Sequence, residues 1–332
     1  MSRIVNTPET YVDDLLEGLC EFLPTLRRDA DVPRAIYRQH SANQSKVGIA
    51  SGGGSGHLPL FVGYVGEGLL DSCAVGNIFE GPTEEACTAA IRRADSGQGV
   101  LCLLGNYGGD RMNFAMACDE LEGEIETRTV LVRDDIASAA PENRELRRGV
   151  AGMVLVYKVA GASATAGGNL EEVAAAAQHA ELRTRTIGAA FGGLELPGSQ
   201  QSAIDISAGD IEMGMGIHGE PGLWQQKLPD AAGLAHEMVG RLLAETPDDG
   251  GNEVALLING LGATPLEDLL VLYRSVKREL DTHSISVPIR FVGPFVTSLD
   301  MSGVSISLMW LDPSLKSALS APASSVFGGQ QL

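Results

Sequence analysis

Three glycine-rich segments each hold a side chain that can transfer a proton or attack a carbonyl group. Residues 51–57 read SGGGSGH, residues 105–110 read GNYGGD, and residues 213–222 read MGMGIHGEPG. Glycine lets the backbone approach a ligand closely, and aspartate and histidine are common proton-transfer groups. The sequence therefore indicates a ligand-binding site with acid–base or nucleophilic chemistry.

Residues 51–57 could hold an oxygen-rich ligand through backbone groups. The segment lacks the lysine of a phosphate-binding loop, and it does not fit the dinucleotide fingerprint. Successive N–H groups between a strand and a helix suit hydroxyl groups or a phosphate, although a glycine run can equally make only a tight turn. His57 ends the run where open α/β sheets bind ligands, and it is either a ligand-contacting or a structural histidine.

The other two segments offer a base and a nucleophile. Asp110 stands where a helix should begin, so it either caps that helix or accepts a proton from a substrate hydroxyl. His218 lies between glycines, and a neutral imidazole exposed on a rigid turn can attack a carbonyl carbon. The alternative for His218 is a surface histidine in a turn.

Buried strands must position the first two segments. Strand, glycine segment and helix repeat along the first half of the chain, which is typical of a mostly parallel α/β sheet. The apolar patterns predict strands at residues 46–50, 99–104 and 129–133 and helices at 10–23, 63–70, from 82 onward and at 112–121.

After an alanine-rich stretch the pattern changes to shorter strands. Residues 151–180 predict two close-packed helices joined at residues 167–169. The patterns beyond predict strands at residues 187–191, 211–217, 254–258, 289–292 and 304–311 and helices at 230–245 and 265–280. We expect an α/β protein of two domains, residues 1–185 and 186–332, each a mainly parallel or mixed sheet flanked by helices.

Composition excludes several classes of function. The 332 residues carry a formal net charge of −19, which leaves no basic surface for nucleic acid and disfavours anionic membranes. No apolar run reaches the ~18 residues of a membrane-spanning helix, and the N-terminus lacks the apolar core of a signal peptide. The five cysteines include no C-x-x-C pair, so we expect reduced thiols, no zinc site and a soluble cytoplasmic protein.

Six blocks, in one order, resemble the substrate-binding (DhaK-type) subunit of dihydroxyacetone kinase. They are residues 51–57, 105–114, 147–151, 216–222, 259–265 and 297–303. The resemblance implies that His218 holds the substrate carbonyl covalently as a hemiaminal. It also implies that Asp110 accepts the proton of the hydroxyl being phosphorylated, and that His57 assists. The substrate-binding backbone of that family matches residues 53–56, which are Gly53, Gly54, Ser55 and Gly56, and it continues at Gly105 and Asn106.

The resemblance also implies partners. The substrate would be dihydroxyacetone or a larger short ketose, and the chain would form a homodimer. ATP or ADP with Mg²⁺ would be carried by a separate helical, nucleotide-binding subunit of the DhaL type, which single-chain kinases fuse to their C-terminus. This chain ends at Leu332 without such a domain, so we expect it to bind no cofactor or metal itself. Whether the partner uses ATP or is recharged by a phosphocarrier protein stays open.

Two departures from the family bear on the substrate. Gly105 stands where the family commonly has a substrate-contacting lysine, and Leu58 stands where a glutamate often follows the histidine. The smaller Gly105 predicts room for a ketose of four or more carbons. The alternative function is a non-catalytic ketose sensor of the same fold, but a sensor would need His218 and no base, so Asp110 favours the enzyme.

Overall fold

The structure is a computed structural model that describes residues 3–39, 45–199, 202 and 204–324. The chain forms two compact units. The first combines Met1–Leu131 with Val156–His179 and Ala318–Leu332, and the second combines Val132–Leu155 with Ala180–Ser317. The chain thus crosses between units near residues 131, 155, 179 and 317, whereas the sequence predicts one boundary near residue 185.

The first unit contains a six-stranded sheet in the order β1-β2-β4-β3-β5-β6. Its elements in chain order are α1 (Tyr11–Phe22), β1 (Leu26–Arg28), β2 (Ala35–Arg38), β3 (Gly48–Ser55), β4 (Ser72–Ile78), α2 (Glu84–Ala94), β5 (Val100–Gly105), α3 (Gly108–Glu120) and β6 (Thr127–Val132). Strand β3 pairs in parallel with both β4 and β5, while β2 pairs antiparallel with β1 and β4. The carboxyl ends of three parallel strands therefore meet at one edge of the sheet.

Strand β3 differs from its prediction because the glycine run belongs to the strand. Packing on both sides of the strand explains the glycines, since a Cβ at Gly52 would lie 2.7 Å from the Ala74 carbonyl oxygen. A Cβ at Gly53 would lie 2.1 Å from the Phe61 ring. The chain leaves the strand only at Gly56, whose φ of +103° is favourable for glycine alone.

The helix predicted at residues 63–70 is wrong. The structure has one 3₁₀ turn, Val62–Tyr64, followed by tight turns. Glycines interrupt the pattern, and Gly68 has a left-handed φ of +72° that ends any continuous helix. By contrast, α2 begins where the sequence predicts a helix. The Thr83 hydroxyl caps it by accepting a hydrogen bond from the Ala86 N–H at 3.2 Å.

The alanine-rich stretch forms the two predicted helices, α4 (Met153–Thr165) and α5 (Leu170–Leu182).

The last described residues, 318–324, belong to the first unit. The buried Lys158 ammonium donates a hydrogen bond to the Ala321 carbonyl oxygen, and the Ser324 N–H donates to the Glu67 carbonyl oxygen at 2.9 Å. The first contact fastens residues 321–324 to α4, and the second fastens them to the turns that follow Tyr64.

The second unit contains a mixed six-stranded sheet in the order β11-β10-β12-β7-β8-β9. Its elements are β7 (Thr184–Gly192), β8 (Asp210–Met213), β9 (Trp224–Lys227), α6 (Ala231–Leu243), β10 (Glu253–Gly260), α7 (Leu266–Thr282), β11 (Ser286–Gly293), β12 (Ser302–Trp310) and α8 (Pro313–Ser320), which runs on into the first unit. Among the strands described in this sheet, β10 and β11 pair in parallel and the other neighbours pair antiparallel. Strand β8 is shorter than predicted because Gly214, with φ of +82°, turns the chain out of the sheet.

Both sheets are flanked by helices, so the predicted fold class is confirmed. The core of the first unit packs α2 and α3 against the sheet, and that of the second packs α6 and α7 around the completely buried Trp310. None of the described helices has the length and apolar character needed to cross a bilayer.

Candidate functional site

His57 lies just beyond the carboxyl end of β3 and is completely buried, with 0% of its surface exposed. Its ring stacks on Phe79, with centroids 5.0 Å apart and planes inclined by 28°. Phe61 meets the same ring edge-on at 6.4 Å. Two aromatic side chains therefore fix the plane of the imidazole.

Phe79 reaches His57 through an unusual backbone conformation. It follows β4 with a left-handed φ of +60°, and such a conformation costs a residue with a side chain ~1 kcal/mol or more. Its N–H donates to the Ser55 carbonyl oxygen at 3.0 Å, which ties the turn to the end of β3. Strained residues held by surrounding contacts are typical of functional sites.

The segment after β4 also meets the other predicted site residues of this unit. A Cβ at Gly54 would lie 2.9 Å from the Glu80 nitrogen, and a Cβ at Gly81 would lie 2.6 Å from the Asp110 Oδ1 atom. The Ser55 hydroxyl donates to the Gly76 carbonyl oxygen at 2.8 Å. The segment from residue 76 to residue 81 thus contacts His57, the glycines of β3 and Asp110 together.

Asp110 is in the first turn of α3, and Tyr107 takes the N-cap position. Asp110 therefore does not occupy the N-cap position considered for it. Its side chain is buried, with 6% of the residue exposed, and the positive end of the helix dipole favours a carboxylate there. A buried carboxylate at this edge of the sheet is well placed to act as a base.

Gly105 and Asn106 lie at the carboxyl end of the neighbouring strand β5. Gly105 is the last residue of β5, and Asn106 is buried, with its side-chain oxygen accepting from Arg111 Nη1 at 3.0 Å. Leu58 lines a narrow cavity of about 10 Å³ beside Gly53 and Gly54. Such a cavity has room for about one water molecule.

His218 lies in the second unit, in the loop between β8 and β9. The loop is held by hydrogen bonds from the Gly216 N–H to the Glu220 carbonyl oxygen and from the Gly219 N–H to the Gly216 carbonyl oxygen, each 3.1 Å long. The Ser298 hydroxyl donates to the Ile217 carbonyl oxygen. The side chain of His218 is 23% exposed, so it is more enclosed than the freely exposed surface histidine that was the alternative for this residue.

Glu220 determines which nitrogen of His218 carries a proton. The Glu220 Oε1 atom is 3.1 Å from Nδ1 of His218, and Oε2 accepts from the His218 N–H at 3.0 Å. Burial raises the pKa of Glu220, but the hydrogen bond and charge of His218 and the charge of Arg148 outweigh it and lower that pKa to about 2. An ionised Glu220 can only accept, so in the neutral form of His218 the proton is on Nδ1 and Nε2 carries the lone pair.

Arg148 supports Glu220 from behind. Its guanidinium lies 2.8 Å from Asp135 and 3.4 Å from Glu220. Burial raises the pKa of Asp135 to about 6, although the charge of Arg148 opposes this. A Cβ at Gly216 would lie 2.1 Å from Glu220 Oε2 and 2.3 Å from Arg148 Nη1, so the ion pair requires a glycine there.

Sequence reasoning missed Phe79, Glu220 and Arg148. Glu220 follows His218 by two residues, and Arg148 lies in one of the six resembling blocks, so both had a signal that was not used. Phe79 had none, because its role depends on a backbone conformation. The neighbouring Arg147 has a different role, since it is buried and makes two hydrogen bonds to Glu245 at 2.5 and 2.7 Å.

Each unit, taken by itself, thus holds its own candidate reactive groups. The first holds a buried carboxylate and a buried imidazole against the same segment. The second holds an imidazole whose Nε2 can act as a nucleophile or a hydrogen-bond acceptor. Within the described ranges, no three His, Cys, Asp or Glu side chains are grouped so as to hold a metal ion.

Comparisons with known proteins point to one family. A family model described as the Dak1 domain matches residues 17–327. A D-erythrulose kinase of Mycolicibacterium smegmatis is 41% identical over 97% of this chain, which spans 56% of that protein. The dihydroxyacetone-binding subunit DhaK of PTS-dependent dihydroxyacetone kinase 2 of Listeria innocua is 39% identical, with 97% of each chain covered.

Solved structures agree with these relatives. The dihydroxyacetone kinase of C. freundii, in its native form and with AMP-PNP and Mg²⁺, has a TM-score of 0.88 at 32% identity. The match covers 98% of this chain and 60% of that one. The dihydroxyacetone kinase operon co-activator Dha-DhaQ has a TM-score of 0.88 at 33% identity, covering 95% and 97% of the two chains.

Proposed function

We propose a function from one premise: this chain belongs to the Dak1 domain family. The resemblance drawn from the six blocks is thereby confirmed, and the chain's relatives include dihydroxyacetone-binding subunits and erythrulose kinases. These kinase-family relatives support a kinase role. The chain binds a short ketose and presents its terminal hydroxyl for phosphorylation, while a partner component supplies the phosphate.

His218 holds the ketose in this proposal. Its Nε2 bonds to the carbonyl carbon, the carbon–oxygen double bond becomes single, and the oxygen takes a proton from solvent to give a hemiaminal. The ring gains positive charge in this step, and the ionised Glu220 on Nδ1 offsets it. The hydrogen bond that fixes the His218 tautomer is the observation that carries the proposal.

Asp110 is the base that accepts the proton of the terminal hydroxyl, and His57 assists that transfer. Their burial keeps water from competing for the proton and strengthens the charge interactions. Backbone groups of Gly53, Gly54 and Gly56, with Ser55, Gly105 and Asn106, contact the sugar hydroxyls. These contacts stay predictions from the resemblance.

The phosphate donor lies outside this chain in the proposal. A relative that this chain covers almost completely is described as a dihydroxyacetone-binding subunit, whereas the kinase with AMP-PNP and Mg²⁺ is a longer chain. Both support a nucleotide-binding DhaL-type partner that carries ATP or ADP with Mg²⁺. The homodimer implied by the resemblance also stays a prediction.

The substrate that we propose is a ketose of four carbons or more. A lysine at position 105 would fill space near the substrate and donate a hydrogen bond, and Gly105 does neither. Erythrulose is a four-carbon ketose, and an erythrulose kinase is among the relatives at 41% identity. We therefore expect erythrulose to be phosphorylated with a higher kcat/KM than dihydroxyacetone.

A ketose sensor is the second candidate, because a close structural relative is described as an operon co-activator. It differs from the kinase in needing no base. Asp110 is retained and buried here, which favours the kinase. Turnover with a nucleotide-binding partner separates the two functions.

The test uses ketose labelled with ¹³C at the carbonyl carbon. We expect its resonance to move from the ketone to the tetrahedral range in the native protein and in His236→Ala, a control at an exposed histidine that is also paired with a glutamate. His218→Ala should abolish the shifted signal. Added DhaL-type subunit, ATP and Mg²⁺ should then give phosphorylated ketose, and the chain alone should give none. A bound ketose that keeps its ketone resonance would refute the hemiaminal.

A further inference from the structure

Two cysteines of the first unit lie side by side away from the residues discussed above. Cys102 is on β5 and completely buried, and Cys118 is in the last turn of α3 and half-buried. Their sulfur atoms are 3.8 Å apart. Strand β5 also ends at Gly105, and α3 begins just before Asp110, so the pair lies on the two elements that carry predicted site residues.

We propose that Cys118 is a site of reversible oxidation by hydroperoxides and that Cys102 is the thiol with which it then forms a disulfide. A disulfide needs a sulfur–sulfur distance of ~2.0 Å, so the two atoms must approach by a little under ~2 Å. Cys118 lies two residues before the end of its helix. Helix ends fray readily, which makes this approach accessible.

Cys118 has the environment of a reactive thiol. A hydrogen bond from Cys102 lowers the pKa of Cys118, and hydrogen bonds from Thr127 and Thr129 lower it further, to about 6, against burial and the charge of Asp119. Much of Cys118 is therefore thiolate at neutral pH. The thiolate is the form that attacks peroxides.

The other described cysteines have the opposite environment. Burial raises the pKa of Cys20, even though Cys20, like Cys118, is only half-buried. Burial and the charge of Asp110 raise the pKa of Cys73 and Cys87 above the usual range of a thiol. Oxidation should therefore select Cys118.

The chemistry balances in two steps. The Cys118 sulfur attacks one oxygen of the hydroperoxide, an S–O bond forms, the O–O bond breaks, and the leaving oxygen takes a proton to give an alcohol or water. The resulting sulfenic acid is then attacked by the Cys102 sulfur. The S–S bond forms, the S–O bond breaks, and the departing hydroxide takes the Cys102 proton as water. Two thiols are oxidised and one peroxide is reduced.

The first experiment uses the full-length reduced protein and needs no substitution. A trace of iodoacetamide at pH 7, read by peptide mass spectrometry, should label Cys118 at least ~10-fold faster than Cys20, because thiolate content controls the rate. Equimolar hydrogen peroxide followed by a maleimide quench should give a Cys102–Cys118 linked peptide that dithiothreitol removes. Equal labelling of the two cysteines, or a peroxide product without this linkage, would overturn the proposal.

Two variants separate the steps. Cys118→Ser should abolish the linkage, and Cys20→Ser, the control at a partly exposed thiol, should leave it unchanged. Cys102→Ser keeps a hydroxyl that can donate to Cys118 but cannot form a disulfide, so it should stop the reaction at a sulfenic acid on Cys118 that dimedone captures. Dimedone capture at another cysteine in Cys102→Ser would contradict the assignment of Cys118. These measurements read thiols and not kinase turnover, so they stand apart from the function proposed above.

Discussion

Replacing Glu220 with glutamine removes one negative charge from the His218 site while keeping the size of the side chain. In the folded protein the pKa of Glu220 falls from the ordinary 4.5 to about 2. At ~1.4 kcal/mol for each pKa unit, this shift corresponds to ~3 kcal/mol of stabilisation. The side chain is 32% exposed, and solvent screening reduces the expected loss in Glu220→Gln to ~1–2 kcal/mol.

The loss should depend on pH in a defined direction. The folded-state pKa lies below the unfolded-state pKa, so the stabilisation is fully present above the unfolded value of 4.5 and disappears as the pH falls through the folded value of about 2. We expect the full difference between native protein and variant at ~pH 7 and less than half of it at ~pH 3.

Urea unfolding followed by tryptophan fluorescence measures this difference. Both tryptophans, Trp224 and Trp310, belong to the second unit, which also holds Glu220. Asp281→Asn is a matched control, because it removes a charge from an exposed helical ion pair with Lys277 and should cost less than ~0.5 kcal/mol. Equal unfolding free energies at ~pH 7, or a loss that is undiminished at ~pH 3, would refute the role assigned to Glu220.

Three further substitutions test the first unit. Asp110→Asn should reduce phosphoryl transfer by ~10²-fold or more while changing the free energy of unfolding by no more than ~1 kcal/mol, as kinetics and urea unfolding will show; lost stability with retained turnover would contradict it. Gly53→Ala should destabilise the protein by ~1–3 kcal/mol because its Cβ would lie 2.1 Å from the Phe61 ring, whereas Gly108→Ala, with nothing within 4 Å, should not. Gly105→Lys should lower the ratio of kcat/KM for erythrulose to that for dihydroxyacetone, and an unchanged ratio would show that this position does not set specificity.

Much of the fold could be predicted from the sequence because periodic apolar patterns reflect burial. The helices around residues 153–182 and the strands β7, β10, β11 and β12 follow such patterns, whereas β9 was not predicted. Positions 52–54 could not be assigned correctly, because a glycine in a crowded strand and a glycine in a turn look the same in one sequence. Only the distances to Ala74 and Phe61 distinguish them.

The sequence pointed to candidate reactive residues but not to the residues that support them in the structure. His57, Asp110 and His218 are chemically distinctive residue types beside glycines, so a single sequence is enough to propose them, and their roles stay predictions. Phe79 and Arg148 act through contacts between segments distant in sequence, which no local pattern encodes. The helix N-cap shows the same limit, since Tyr107 and not Asp110 takes that position.

The contacts of Lys158 and Ser324 have a consequence for how the protein is made. Chains emerge from the ribosome N-terminus first, and domains generally fold as their residues become available. Here the first unit includes residues 318–324 as well as residues 3–131. Lys158 of α4 is therefore joined by Ala321, and the turns after Tyr64 by Ser324, only after the residues of the second unit have been synthesised. We expect nascent chains stopped before residue 318 to leave those turns sensitive to protease, while the second unit has nearly all of its residues by then.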